Sequence, residues 1–180
     1  MTDPLPPEYA AVLSALSDAQ VVAGTAWAEA RARLEGGTWR TNPPEAMHDI
    51  ADVIDRRVHD RRWSRLGYRG VCLQPFAFSC WLPRAGADND RDPQHLADNF
   101  QALMDRMRRL LAGETPSATL LTCLAIAEVV TGRGAPDPTS PVAGATHYYA
   151  KWLAAPPRWS LPPSVLVAER FGQRFFRNVR

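Results

Sequence analysis

Between Pro44 and Asp60 the chain sets Met47, Ile50, Ala51, Ile54 and Val58 on one stripe of helical period, with His48, Asp49, Asp52, Asp55 and Arg56 on the remaining surface. A helix patterned in this way is stable only when other elements cover its apolar stripe. The chain supplies such elements. Leu96, Phe100, Leu103, Met107 and Leu110 form a second stripe, stopped by Gly113, and Leu120, Leu124, Ala127 and Val130 form a third that ends at Gly132. Upstream, a short helix is expected from Glu8 to Leu16. A longer one is expected from Asp18 to Leu34, with Asp18 as N-cap and Gly36-Gly37 as its stop.

Loops separate these helices. Asn42-Pro43-Pro44 disfavours helix before each proline. Trp63 to Arg91 reads as irregular, and from Arg133 onward proline and aromatics dominate, with helical period returning only over Pro163 to Phe171. No internal repeat or low-complexity segment interrupts this pattern. The expected fold is mainly α, with α+β as the variant, in a single domain with long loops. Residues 1–17 form an N-terminal arm and 18–180 the domain proper. A chain of 180 residues, 46% of them hydrophobic, suits one such core.

Charge and cysteine usage exclude several classes. A formal net charge of +2 lacks the concentrated basic face of a nucleic-acid binder. Cys72, Cys80 and Cys123 form no Cys-x-x-Cys pair and read as buried free thiols of a reducing compartment. His48, His59, His95 and His147 are scattered, with no spacing for a metal, and Asp88-Asn89-Asp90-Arg91-Asp92 lacks the glycine and closing glutamate of a calcium loop. No metal and no cofactor is therefore expected. Met1 to Pro7 has neither a basic start nor an apolar run, and no stretch is long enough to span a bilayer. The expectation is a chain that is cytoplasmic in the producing cell.

One carboxylate stands out. On a helix, Glu29 shares a face with Val22, Thr25 and Ala26, and desolvation among such neighbours favours the protonated acid that general acid catalysis needs. Spacing alone equally gives an ion pair with Arg33 at i+4, the simpler reading of a helical glutamate. Ser79 lacks a Gly-x-Ser-x-Gly frame, and Cys80 with His147 makes a nucleophile–base pair only if the fold joins them.

Several segments, taken in order, resemble the cell-wall hydrolase family of spore cortex-lytic (SleB-type) enzymes and small phage and prophage lysins. Trp27-Ala28-Glu29-Ala30-Arg31 is similar to the family's opening Trp-x-Glu-Ala-Arg motif, and Ala51 to Val58 to its Ala-x-Val-Ile-x-Asn-Arg-Val helix. Phe76-Ala77-Phe78-Ser79-Cys80-Trp81 resembles Gln-Phe-Ser-Cys-Trp. Gly144-Ala145-Thr146-His147-Tyr148, followed by Pro157-Arg158-Trp159, resembles Gly-Ala-Thr-His-Tyr and Pro-x-Trp. Gly172-Gln173-Arg174-Phe175-Phe176 resembles the closing Gly-x-His-x-Phe.

The resemblance implies a lysozyme-like, lytic transglycosylase-like fold that cleaves the bond between N-acetylmuramic acid and N-acetylglucosamine in peptidoglycan glycan strands. It makes Glu29 the catalytic acid. It places Ser79, Thr146, His147, Tyr148, Tyr149 and Trp81 against substrate, with Glu35 as a possible second acid. The wall is then reached after holin-type release or by delivery in a phage-like particle. Arg56, Arg57, Arg61, Arg62 and Arg65 would draw the protein toward an anionic wall, or else simply solvate a helix end.

The chain departs from the pattern at four places: the Gly-Glu that follows Glu-Ala-Arg in the opening motif is absent, with Ala32-Arg33-Leu34 intervening before Glu35, and Ala77 replaces the glutamine, Arg56 the asparagine and Arg174 the histidine. The other reading is therefore a structural or targeting protein of a phage-like particle that keeps the fold without the activity.

Overall fold

The computed structural model describes residues 7–33, 39–41, 43–74, 77–81, 93–151 and 155–179, with backbone alone for 31–33, 39–41 and 93–97. It is mainly helical with a small three-stranded sheet. The helices are α1 (Pro7–Ala15), α2 (Asp18–Glu29), α3 (Pro44–His59), α4 (Gly67–Leu73), α5 (Pro93–Leu111) and α6 (Ala118–Thr131). The strands are β1 (Arg31–Arg33), β2 (Trp39–Thr41), β3 (His147–Ala150), β4 (Val165–Arg170) and β5 (Gln173–Arg177). Among the described residues no helix is long and apolar enough to cross a membrane.

The centre of the fold is α2. Every residue from Val21 to Ala28 is buried, as expected of a helix that is apolar all round. Its side chains are mostly small, so neighbours approach closely. A Cβ at Gly24 would sit 3.2 Å from Leu103 Cδ1 and 3.2 Å from the Trp81 ring. Ser17, not Asp18, is the N-cap: its hydroxyl accepts from the Gln20 N–H at 3.2 Å, and the Gln20 side chain accepts the Ser17 N–H at 2.8 Å. Helices α3, α4, α5 and α6 pack around this axis. The arm is tied down as well. Tyr9 of α1 packs edge-on against Phe100 of α5 at 5.0 Å, and Arg69 of α4 donates to the Leu13 and Leu16 carbonyls.

Helix α2 stops at Glu29, five residues short of the expected Leu34. Residues 31–33 instead pair with β2 in an antiparallel ladder, which takes up backbone groups that a longer helix would have used. Arg33 therefore lies on a strand, and an i, i+4 helical pair with Glu29 does not exist. The stretch expected to be irregular contains α4 and a 3-10 turn at Ser79–Trp81. The helical period assigned to Pro163–Phe171 is also corrected. Val165–Arg170 is a strand joined to β5 through Phe171 and Gly172, both at positive φ (49 and 77), as a two-residue hairpin turn requires.

The sheet has the order β3-β5-β4 and is antiparallel throughout. Cross-strand partners share a face. Tyr148 and Phe175, and Ala150 and Gln173, share the face toward α2 and α3, while His147 and Phe176, and Tyr149 and Arg174, share the other face, where Tyr149 and Phe176 are buried in a second cluster. The inner face buries Phe175 against Val53 of α3, with Val142 and Ala145.

The apolar stripe of α3 is buried as patterned at Met47, Ile50, Ala51 and Ile54. Its aspartates are not left in solvent, however. Asp49, Asp52 and Asp55 are 2%, 7% and 0% exposed, and each has a partner from a distant element. Ser17→Ala, which removes the hydroxyl that accepts from the Gln20 N–H and leaves the Ser17 N–H bond to the Gln20 side chain, is expected to cost about 1 kcal/mol. This would appear as a lower urea midpoint with an unchanged slope.

Candidate functional site

Glu29 is the last residue of α2 and is half-buried. Its carboxylate receives donors from two segments far away in sequence. The Cys80 N–H donates to Oε1 at 3.2 Å and the Ser79 hydroxyl to the same oxygen at 3.4 Å. The Tyr148 hydroxyl donates to Oε2 at 3.1 Å. The main chain is held too, because Gln173 Nε2 donates to the Glu29 carbonyl at 3.1 Å.

Local structure explains the convergence. The 3-10 turn at Ser79–Trp81 is anchored to α2 by the Trp81 indole, which donates to Thr25 Oγ1 at 2.8 Å. That bond lies one helical turn before Glu29, so the turn offers Ser79 and the Cys80 N–H to the carboxylate. On the other side, the inward pleat of β3 and β5 aims Tyr148 and Gln173 at the end of α2.

The surroundings keep these donors protonated. Burial first, then the negative charge of Glu29, pushes the Tyr148 phenol well above its ordinary range. The same causes push the Cys80 thiol well above its usual value. Cys72 is pushed up to about 12 by burial, and Cys123 likewise to about 12. A fully buried thiol held protonated is a poor nucleophile.

The expected site residues separate into two groups. Ser79 and Tyr148 are at Glu29. Thr146 is buried, with its hydroxyl 3.0 Å from His147 Nδ1 and its carbonyl accepting from Arg57 Nε at 2.6 Å. Trp81 is 5% exposed and packs into the core. His147 and Tyr149 lie on the opposite face of the sheet from Glu29, because alternation along a strand reverses direction at each residue. There His147 sits between Trp63 and Trp159, at ring separations of 5.7 and 5.1 Å. Tyr149 stacks on Phe176 at 5.5 Å. This separation places His147 away from Cys80 and leaves no support for a thiol–imidazole pair. Glu35 and the acidic run 88–92 lie outside the described residues.

Two contributors, Gln173 and the Cys80 backbone N–H, lie within the resembling segments but were not singled out as site residues, because a strand's facing side and a main-chain donor leave no mark in residue type. Of the arginines grouped as facing a wall, Arg57 is corrected, since it is 7% exposed and lies inside the protein. Its guanidinium lies 4.9 Å from the Phe78 ring centroid and 5.6 Å from that of Trp63. Arg61, Arg62 and Arg65 are exposed. Of the departures from the motif pattern, Arg174 lies on the outer face, bonded to Glu169 at 2.9 Å and to the Tyr149 hydroxyl at 3.3 Å. Ala77 packs half-buried against the core, and Arg56 is half-buried.

Among the described residues, no group of three or more His, Cys, Asp or Glu side chains is placed to hold a metal. Two cavities lie away from Glu29. One, of about 600 Å³, is lined by Asp60, Arg62, Pro163, Asn178 and Val179. The other, of about 320 Å³, lies between α3, α6 and Arg170. In each, a lining acid is held in an ion pair, Asp60 with Arg62 at 3.0 Å and Asp49 with Arg170 at 2.8 Å. No family model, no curated protein and no solved structure matches the chain. The arrangement at Glu29 is one half-buried carboxylate with donors fixed on both oxygens.

Burial, followed by the charges of Arg57 and Arg62, lowers His147 to about 4 from its ordinary 6.5. As pH falls from 6.5 toward about 4, the unfolded chain takes up this proton before the folded chain does, so stability is lost across that window. His147→Gln is expected to flatten this part of the stability–pH curve relative to wild type. Urea titrations at pH 7 and pH 4.5 check it, and an unchanged slope in the variant would contradict it.

Proposed function

We propose that this chain cleaves the glycan strands of peptidoglycan between N-acetylmuramic acid and N-acetylglucosamine, as a lytic transglycosylase on a lysozyme-like scaffold, with Glu29 as the group that moves the proton. One observation carries the reading. Four of the segments whose order along the chain resembles the cell-wall hydrolases meet at one residue: Glu29 from the first, Ser79 and Cys80 from the third and Tyr148 from the fourth at its carboxylate, and Gln173 from the last at its main-chain carbonyl.

The chemistry follows from one carboxylate rather than two. A hydrolase of the two-carboxylate type needs a second acid across the scissile bond. The buried aspartates of α3 are engaged elsewhere: Asp49 with Arg170 at 2.8 Å, Asp52 with Arg133 at 2.9 Å and Asp55 with Tyr68 at 2.7 Å. A transglycosylase needs one. Protonated Glu29 gives its proton to the glycosidic oxygen as the bond from that oxygen to the anomeric carbon breaks. The 6-hydroxyl of the same muramic acid then attacks the anomeric carbon and returns its proton to Glu29, closing a 1,6-anhydro ring. Donors from Ser79, Cys80 and Tyr148 stabilise the carboxylate between these steps.

Glu29→Gln keeps the shape and cannot give up the proton. With isolated peptidoglycan, wild-type protein is expected to release anhydro-muropeptides detectable by mass spectrometry, and the variant to do so about 10²- to 10⁴-fold more slowly. Hydrated reducing ends would replace transglycosylation by hydrolysis and direct the search to a second acid such as Glu35. Absence of product from folded protein on several wall types would overturn the enzyme reading in favour of a structural component of a phage-like particle.

A further inference from the structure

We propose that Gln173 is the positioning residue of the Glu29 centre: it stands in for the missing next turn of α2 at the Glu29 carbonyl and so fixes the main chain from which the carboxylate projects. This deepens the reading of Glu29 as a proton-transfer group and rests on it for its catalytic meaning. Gln173 falls at the unspecified position of Gly-x-His-x-Phe, so the resemblance assigns it no role.

The end of a helix leaves its last carbonyls without partners, because the N–H groups four residues on are no longer in place. In α2 the Ala30 N–H still reaches the Ala26 carbonyl at 3.0 Å, and the chain then enters β1. Arg33, whose N–H a longer helix would offer to the Glu29 carbonyl, is instead paired with Trp39 of β2. Gln173 Nε2 takes its place at 3.1 Å, from 144 residues further along the chain.

The amide is itself carried on a rigid element. The turn at Phe171 and Gly172 starts β5 directly before Gln173. Strand register sets Gln173 opposite Ala150, one diagonal step from Tyr148 on the same face. Such diagonal neighbours lie about 7–8 Å apart. Two donors on one face of the sheet thus hold one residue at its two ends: Gln173 at the main-chain carbonyl and Tyr148 at Oε2. With main chain and carboxylate both held, the torsions between them have little freedom left.

Stability alone does not account for this side chain. Gln173 is 6% exposed, and its Oε1 is buried without a hydrogen-bond partner among the described residues. A buried acceptor left empty is costly. Turning the amide over would not relieve it, since that would set Oε1 against the Glu29 carbonyl oxygen. An apolar side chain of the same length would fill the space and avoid the empty acceptor. What it would lose is the hold on Glu29. A residue that costs stability and keeps a reacting group in place is expected at a working site.

Gln173→Met keeps the length and removes both the donor and the empty acceptor. Its urea midpoint is expected to stay near wild type, because the lost bond is offset by removal of the unpaired oxygen. On a soluble tetrasaccharide of alternating N-acetylglucosamine and N-acetylmuramic acid, kcat is expected to fall about tenfold to a hundredfold with KM unchanged, as displacement of a reacting group would cause. A side chain that only stabilised the fold would lower the midpoint and leave the rate of each folded molecule unchanged.

Two further readouts need no catalysis. The Cys80 N–H donates to Glu29 Oε1, so its hydrogen exchange should accelerate about tenfold or more in Gln173→Met, while the amides of Val22 to Ala26 keep their wild-type rates. In wild-type protein an NMR coupling across the hydrogen bond should join Gln173 Nε2 to the Glu29 carbonyl carbon. Wild-type kcat or unchanged Cys80 exchange in folded Gln173→Met, or absence of that coupling, would overturn the proposal. If both readouts behave as expected and wild-type protein cleaves no wall material, the positioning stands and the enzymatic reading alone fails.

Discussion

The burial of α2 on all sides is the constraint from which the rest follows. A helix made mainly of alanine, valine, glycine and threonine gains little from its own side chains; its stability comes from what packs on it. Leu103 and Met107 of α5 and Trp81 close on Gly24, where a side chain would leave no room. Neighbours that tight fix the axial position of the helix, and with it the position of its last residue. Glu29 is the last, half-buried residue of α2, so its carboxylate is placed by the core and not by a loop. A site built at the end of a rigid element holds its geometry better than one carried on a flexible segment.

The second constraint is the pleat of the sheet. Thr146, His147, Tyr148 and Tyr149 read as one continuous patch when written in a line. Folded, they divide by the two-residue period of a strand. Tyr148 reaches Glu29, while His147 and Tyr149 join Trp159 and Phe176 in a separate aromatic cluster. The same rule places Gln173 on the inner face and Arg174 on the outer. The substitution at Arg174 therefore falls away from the carboxylate, whereas Ala77 lies two residues from Ser79.

Much of this was legible in the residue pattern where the pattern was strong. The stripes of α3, α5 and α6 and their glycine stops correspond to the observed helices because period, length and end signals agreed. The end of α2 was not legible. Ala28 to Leu34 is good helix sequence, and only the pairing of residues 31–33 with 39–41, a tertiary fact, ends it at Glu29. The strand at Val165–Arg170 was hidden because its facing residues, on β5, come later in the chain. Glu29 itself was singled out by the resemblance of its segment to the opening motif, since its helical spacing alone gave an ion pair with Arg33 as the simpler reading. Its donors were out of reach of periodicity, since Ser79 is fifty residues away and Tyr148 is 119 residues away.

The polar residues of α3 show how buried charge organises the molecule around this centre. Asp49, Asp52 and Asp55 fall three apart along the helix and face Arg170, Arg133 and Tyr68. These partners come from β4, the end of α6 and α4. Each contact satisfies a carboxylate that would otherwise be costly to bury, and each ties a separate element to α3. Arg57 comes two residues after Asp55 and donates to the Thr146 carbonyl, tying α3 to the segment that leads into β3. Moving any of these elements would expose a charge to an apolar interior without its partner. The fold therefore resists small rearrangements near Glu29 more strongly than apolar packing alone would, because apolar contacts can slide and paired charges cannot.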